Sequence, residues 1–165
     1  MSVIIELMND SGINPVPGAS EFQRWGDSVL AALDSAESNL EVGIRLVNEA
    51  ESTELNRHYR HKQGPTNVLS FSYTDIPEQT GSKLLGDLAI CTQVVQREAA
   101  EQAKSLQAHW AHMTVHGFLH LLGYDHQEEA AAEQMESLEA AILGNLGYAN
   151  PYDIQVTDAA ERKTL

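Results

Sequence analysis

Apolar and polar positions follow a readable order along most of the chain. Val3 to Met8 is a short, mostly apolar run that reads as a first or edge strand. Asn9 to Ala19 carries Gly12, Pro15, Pro17 and Gly18 and reads as a loop. Ser20 to Gln23 has the form of a capping box with Ser20 at the N-cap. It opens a helix to about Ala36, with Phe22, Trp25, Val29 and Ala32/Leu33 as its apolar stripe. Leu40, Val42, Ile44 and Leu46 then alternate with Glu41, Gly43 and Arg45, as a half-buried strand does. Asn48, with Glu51 at the third helical position, caps a second helix carrying Leu55 and Tyr59 to about His61. Gly64-Pro65-Thr66 breaks that helix.

Asn67 to Tyr73 alternates again and predicts a strand. Asp75 to Lys83 is a turn-rich connection, expected at the surface with Asp75 and Glu78 solvated. Leu84 to Cys91 is mostly apolar, as an interior strand is. Asp87 interrupts it. A carboxylate there is paired or opens onto a cleft, unless Gly86 forms a bulge that leaves Asp87 in solvent. Thr92 is placed to cap a helix reaching about Lys104. Leu106 to Leu122 is apolar around most of its circumference, the pattern of a buried helix. Its polar exceptions, His109, His112, His116 and His120, lie along one stripe. A last helix runs from Glu128 to about Leu146, buries Met135, Leu138, Ile142 and Leu146, and is closed by Gly147. The expectation is an α+β fold: one domain over residues 1–148, a small mixed sheet packed on helices, and a central buried helix bearing the histidines. Residues 149–165 show little apolar periodicity and read as a loosely held tail.

Composition narrows the setting. A chain of 165 residues is most simply one domain. Cys91 is the one cysteine, which excludes an intrachain disulfide and a Cys-based zinc cage. No secretory pattern opens the chain, and no run approaches the roughly 20 apolar residues of a membrane span. A cytoplasmic protein with no membrane partner is expected. The formal net charge of −14 argues against broad, non-specific nucleic-acid binding. It leaves room for a local basic groove. Arg57, Arg60 and Lys62, with His58 and His61 between them, form either such a groove or a solvated helix face.

The candidate chemistry sits at His116, His120 and His126. Positions four apart on a helix lie about 40° apart, so His116 and His120 share a face. Gly123 can reverse the chain just past the helix end by adopting a positive φ, which brings His126 back to the same place. Three protein ligands with one open position is the arrangement of a catalytic zinc site. The competing reading is three ordinary surface or core histidines. The same spacing occurs in metzincin proteases, which carry Glu after the first histidine as general base. Here that position is Gly117, which cannot move a proton.

The run His116-Gly-x-Leu-His120-Leu-x-Gly-Tyr-Asp-His126 resembles the signature of the YbeY family of bacterial endoribonucleases. Four further blocks are similar to that family: Tyr59-Arg60 with Pro65 to Phe71, Leu85-Gly86-Asp87, Met135-Glu136-x-Leu138-Glu139, and Gly147-Tyr148 with Asn150-Pro151-Tyr152. The resemblance implies a single-strand-specific, metal-dependent endoribonuclease. Its role would be in 3′-end maturation of 16S ribosomal RNA and in ribosome quality control. It implies one zinc ion per chain on His116, His120 and His126, an essential Arg60, and ribosomal RNA with the ribosome or its associated proteins as partners. Two positions depart from the family pattern: Asn67 stands where Asp is common, and Ser72 where Pro is common. Asn67 is therefore given no catalytic role.

Chemistry and resemblance agree on a hydrolase. Zinc held by three histidines would act as a Lewis acid, able to lower the pKa of a bound water to about 7 or to polarise a phosphate oxygen, and the sequence leaves open whether water or the RNA 2′-OH is the nucleophile. Arg60 is the expected phosphate clamp. Arg57, Lys62 and Ser70 are candidate substrate contacts. Asp87 and Asp125 are candidates to orient the ligands from behind. Two alternatives remain: a zinc hydrolase of another class, such as a metallopeptidase, and a non-catalytic, zinc-stabilised ribosome assembly factor.

Overall fold

The computed structural model describes residues 3–35, 40–72, 83–125 and 127–152. Four strands and five helices follow one another as β1 (Val3–Asn9), α1 (Ala19–Ala32), β2 (Leu40–Val47), α2 (Glu49–Arg60), β3 (Val68–Ser72), β4 (Lys83–Cys91), α3 (Thr92–Glu101), α4 (Leu106–Leu121) and α5 (Glu129–Asn145). This is the expected α+β domain with a small mixed sheet. The strand order is β1-β2-β4-β3, with β1, β2 and β4 parallel and β3 antiparallel to β4. The interior strand read from Leu84 to Cys91 does lie inside the sheet.

Strand alternation decides what each sheet face meets. Val3, Val42, Ile44, Leu46, Leu88 and Ile90 project onto the face covered by α1 and α4 and are buried there. Phe22 and Trp25 of α1 join Trp110 and Phe118 of α4 in that core. Phe22 meets the Trp25 and Trp110 rings edge-on, with centroids 5.4 and 6.1 Å apart. Each such pair stabilises by about 0.5–1.5 kcal/mol beyond its buried area. α5 packs on α4 and α1. α4 is thus enclosed by the sheet, α1, α3 and α5, which explains a sequence apolar on nearly every side. On the other sheet face, Tyr59 of α2 stands edge-on to Phe71 of β3, with ring centroids 5.1 Å apart.

Helix ends correct several expectations. Gly18, not Ser20, is the N-cap of α1, and the Glu21 carboxylate accepts its N–H at 3.3 Å. Only the Glu21 half of a capping box is therefore present, because Gly18 supplies the extended break and has no side chain to return the bond. α1 stops at Ala32, where Asp34 turns to φ +53° and the Ser35 N–H bonds back to Leu30 O. Asp tolerates that conformation better than most residues. Thr92 is the first residue of α3 and not its cap; Cys91 is the N-cap, and the Thr92 hydroxyl is buried with no partner among the described residues. α3 ends at Glu101, short of Lys104, as Ala103 adopts φ +54°. Asn48 does cap α2, accepting the Glu51 N–H at 2.9 Å. The Asp75–Lys83 connection, with Asp75 and Glu78, lies outside the described residues apart from Lys83, which opens β4.

The α4 cleft and its candidate metal ligands

His116 and His120 stand one turn apart near the C-terminal end of α4 and are half-buried. Their Nε2 atoms are 3.2 Å apart. Two nitrogens at about 2.0–2.1 Å from one tetrahedral ion would be separated by about 3.3 Å. The same separation suits a hydrogen bond from His120 Nε2 to His116 Nε2. α4 ends at Leu121, and Gly123 follows at φ +101°, with the Gly123 and Tyr124 N–H groups bonded to His120 O and Leu119 O. The expected reversal is therefore present, carried by the residue type that tolerates it. His126 lies outside the described residues. Among the described residues no group of three metal-ligating side chains occurs.

The two histidines open onto a cleft of about 300 Å³, walled by Asn56, Arg60 and Lys62 from the end of α2, Thr66 to Ser70 and Ser72 along β3, and Leu121. Five residues singled out in the sequence thus meet here: Arg60, Lys62, Ser70, His116 and His120. Arg60 is exposed and has no carboxylate partner among the described residues. It owes its place to His61, which ends α2 with φ +54° and turns the chain toward β3. Asn56 reinforces the turn by donating to Gly64 O at 2.9 Å. Ser70 donates to Gly117 O at 3.3 Å, so its hydroxyl ties β3 to α4 within the cleft wall.

Three other candidates sit elsewhere. Arg57 does not line the cleft; it pairs with Glu54 on the exposed face of α2. Asp87 pairs in register with Phe71 and Gly43, on the sheet face away from α4, and lines a separate groove with Phe71, Tyr59, Leu55 and Met8. Its strand carries the bulge that Gly86 suggested, since the register shifts between Glu41 and Val42 opposite Leu84 to Gly86. Asp87 is half-buried and remote from the histidine face, which a two-residue period allows and a sequence alone cannot fix. Asp125 is exposed in the turn after α4.

The carboxylate behind the histidines comes from α5. Glu139 is buried on the apolar stripe between Met135 and Ile142. Its Oε2 accepts from His116 Nδ1 at 2.9 Å, and its Oε1 from His112 Nε2 and the Tyr152 hydroxyl, each at 2.7 Å. Burial pushes this carboxyl up, but the bonds from His112 and His116 outweigh it and bring the group down to about 2. Burial, reinforced by Glu139, keeps the Tyr152 phenol protonated and hence a donor. Burial also depresses His112 against the pull of Glu139. Lys104 Nζ lies 3.2 Å from His112 Nδ1. Lysine only donates, so His112 Nδ1 accepts and its Nε2 carries the proton given to Glu139. Farther along the stripe, His109 Nε2 bonds Glu98 at 2.8 Å, and the Asn67 amide donates to the same carboxylate at 3.2 Å.

Sequence reasoning missed Glu139 as a site residue, although a charge on an apolar helical stripe was its visible signal. It also missed Tyr152, which sits beyond the boundary expected at 148 yet is anchored to α5; residues 153–165 lie outside the described residues. No described helix is long and apolar enough to cross a membrane.

Comparison with known proteins places the fold and the family. A solution structure of TM1509 from Thermotoga maritima shares the fold at a TM-score of 0.52 and 21% identity, over 87% of this chain and 91% of that one. The family profile described as Endoribonuclease YbeY matches residues 9–147, a span that includes β2 to α5, the cleft and Glu139. The chain therefore belongs to the YbeY family of endoribonucleases, enzymes that cut RNA.

Proposed function

We propose that this chain is a zinc-dependent, single-strand-specific endoribonuclease that matures the 3′ end of 16S ribosomal RNA and serves in ribosome quality control. One zinc ion is held by His116, His120 and His126. The observation that carries this reading is the 3.2 Å approach of the His116 and His120 Nε2 atoms inside a cleft that Arg60 and Lys62 line. The donor set fits zinc: imidazole nitrogens, with a carboxylate behind one ring. Bound there, zinc would act as a Lewis acid, lowering the pKa of a water or polarising a phosphate oxygen.

The chain's own residues supply the rest. Arg60 grips phosphate oxygens through its planar fork and stabilises the charge that grows on them. Lys62 adds a point charge along the path of the strand. A cleft of about 300 Å³ lined by polar and basic side chains is in keeping with an unpaired nucleotide as its occupant. The net charge of −14 supports delivery of the substrate by the ribosome or an associated protein, since free RNA is repelled by most of the surface. The lone, buried Cys91 is in keeping with a reducing cytoplasm.

The experiment is cleavage of a labelled single-stranded RNA by purified wild type, His116→Ala and Arg60→Ala, with zinc content measured in each. Cutting is expected to fall by about 10²-fold or more in both variants, with zinc retained in Arg60→Ala. Equal residual cutting in all three overturns the nuclease reading and leaves a zinc-stabilised ribosome assembly factor.

A further inference from the structure

We propose that Glu139 is a positioning residue for the metal centre: clasped by Tyr152 and His112, its carboxylate holds His116 with Nε2 turned into the cleft. The inference rests on the metal reading above and adds residues from α5 and the segment after it.

The geometry argues it in three steps. First, a carboxylate only accepts, so the 2.9 Å contact with His116 requires the proton on Nδ1. A neutral ring then has its lone pair on Nε2, the atom facing His120. Second, Glu139 is itself fixed. Its side chain is 1% exposed, and two donors hold Oε1 at 2.7 Å from opposite directions in the chain. Third, those donors are fixed as well. Lys104 sets the His112 tautomer from the turn between α3 and α4, and the Tyr152 backbone N–H is tied to Asn150 Oδ1 at 2.8 Å. A line of hydrogen bonds therefore runs from the α3–α4 turn through α4 and α5 to the residues after α5, and it ends on a ligand.

Such support has a measurable consequence. A ring free to rotate or to shift its proton to Nε2 must be reoriented before it can bind an ion, and that cost appears in metal affinity. A purely structural role for Glu139 would change unfolding and leave the affinity of the folded protein untouched.

The test measures zinc affinity by chelator competition, and the absorption spectrum of the cobalt-substituted protein, for wild type, Glu139→Gln and Tyr152→Phe. Folding of the metal-free proteins is followed by circular dichroism. Zinc binding is expected to weaken by about tenfold or more in Glu139→Gln. It should weaken in the same direction by a smaller factor in Tyr152→Phe, which removes one oxygen and keeps the ring, so a misfolded Glu139→Gln does not end the test. Affinity and cobalt spectrum unchanged in Tyr152→Phe and in a folded Glu139→Gln overturn the inference while the metal reading stands. A wild type that takes up neither zinc nor cobalt overturns both.

Discussion

Gly117 presses against Leu88. A Cβ built at position 117 would lie 2.8 Å from one Leu88 methyl and 3.0 Å from the other, with a Val68 methyl at 3.3 Å. The residue after the first candidate ligand thus faces the sheet, and the close contact of α4 with β4 depends on its bare Cα. The metzincin-like base is missing for a spatial reason as well as a chemical one, because position 117 has no room for a carboxylate.

Gly117→Ala should therefore destabilise the protein. Overpacking costs about 1–3 kcal/mol, and the better helix propensity of Ala returns up to about 1 kcal/mol. A net loss of about 1–2 kcal/mol lowers Tm by about 2–8 °C for a domain of this size. Thermal unfolding followed by calorimetry gives the answer, and an unchanged or raised Tm would show that Leu88 moves aside.

Lys62 and Arg57 should differ in how they shape RNA binding. Lys62 lines the cleft, whereas Arg57 stands outside it beside Glu54. Each phosphate contact to a single strand contributes about 0.7 to the slope of log affinity against log salt. Lys62→Ala should reduce that slope by about this amount, and Arg57→Ala by less than half as much. Fluorescence anisotropy with a short single-stranded RNA across a salt series measures both. Equal losses would move the RNA path onto the outer face of α2.

Glu98 should tie stability to pH. Burial raises its pKa, but bonds from His109 and Asn67 more than reverse this and hold it below its ordinary value of 4.5. A carboxyl depressed on folding stabilises the native state above its unfolded value. That contribution is lost as pH falls through the folded value. Glu98→Gln should be less stable than wild type at pH 7, with the gap narrowing as acid is added below 4.5. Urea titrations at several pH values test the sign, and a gap independent of pH would remove the charge of Glu98 from the account.

Much of this site was legible in the sequence, for local reasons. Helical spacing put His116 and His120 on one face, and Gly123 announced the reversal after them. The all-round apolar pattern of α4 announced its burial. What stayed hidden depends on tertiary placement. Alternation showed that Asp87 projects from a strand but not toward which face. Glu139 was visible as a charge on a buried stripe, yet only the packing of α5 on α4 aims it at His116. Tyr152 follows a segment without periodicity, and hydrogen bonds of its hydroxyl and backbone N–H, not a pattern, hold it in place.

The strand order has a consequence for how the chain acquires its structure. β3 pairs with β4, as does β2, so the strand made last in sequence is inserted between two made earlier. Neither β2's inner edge nor β3 has its native neighbour until residues 83–91 exist. The β3–β4 ladder joins strands that are neighbours in the chain, whereas the β2–β4 ladder joins segments far apart in it, and such non-local pairing favours slow folding. A nascent chain halted just before Lys83 would carry two open strand edges and be the form of this protein most exposed to aggregation.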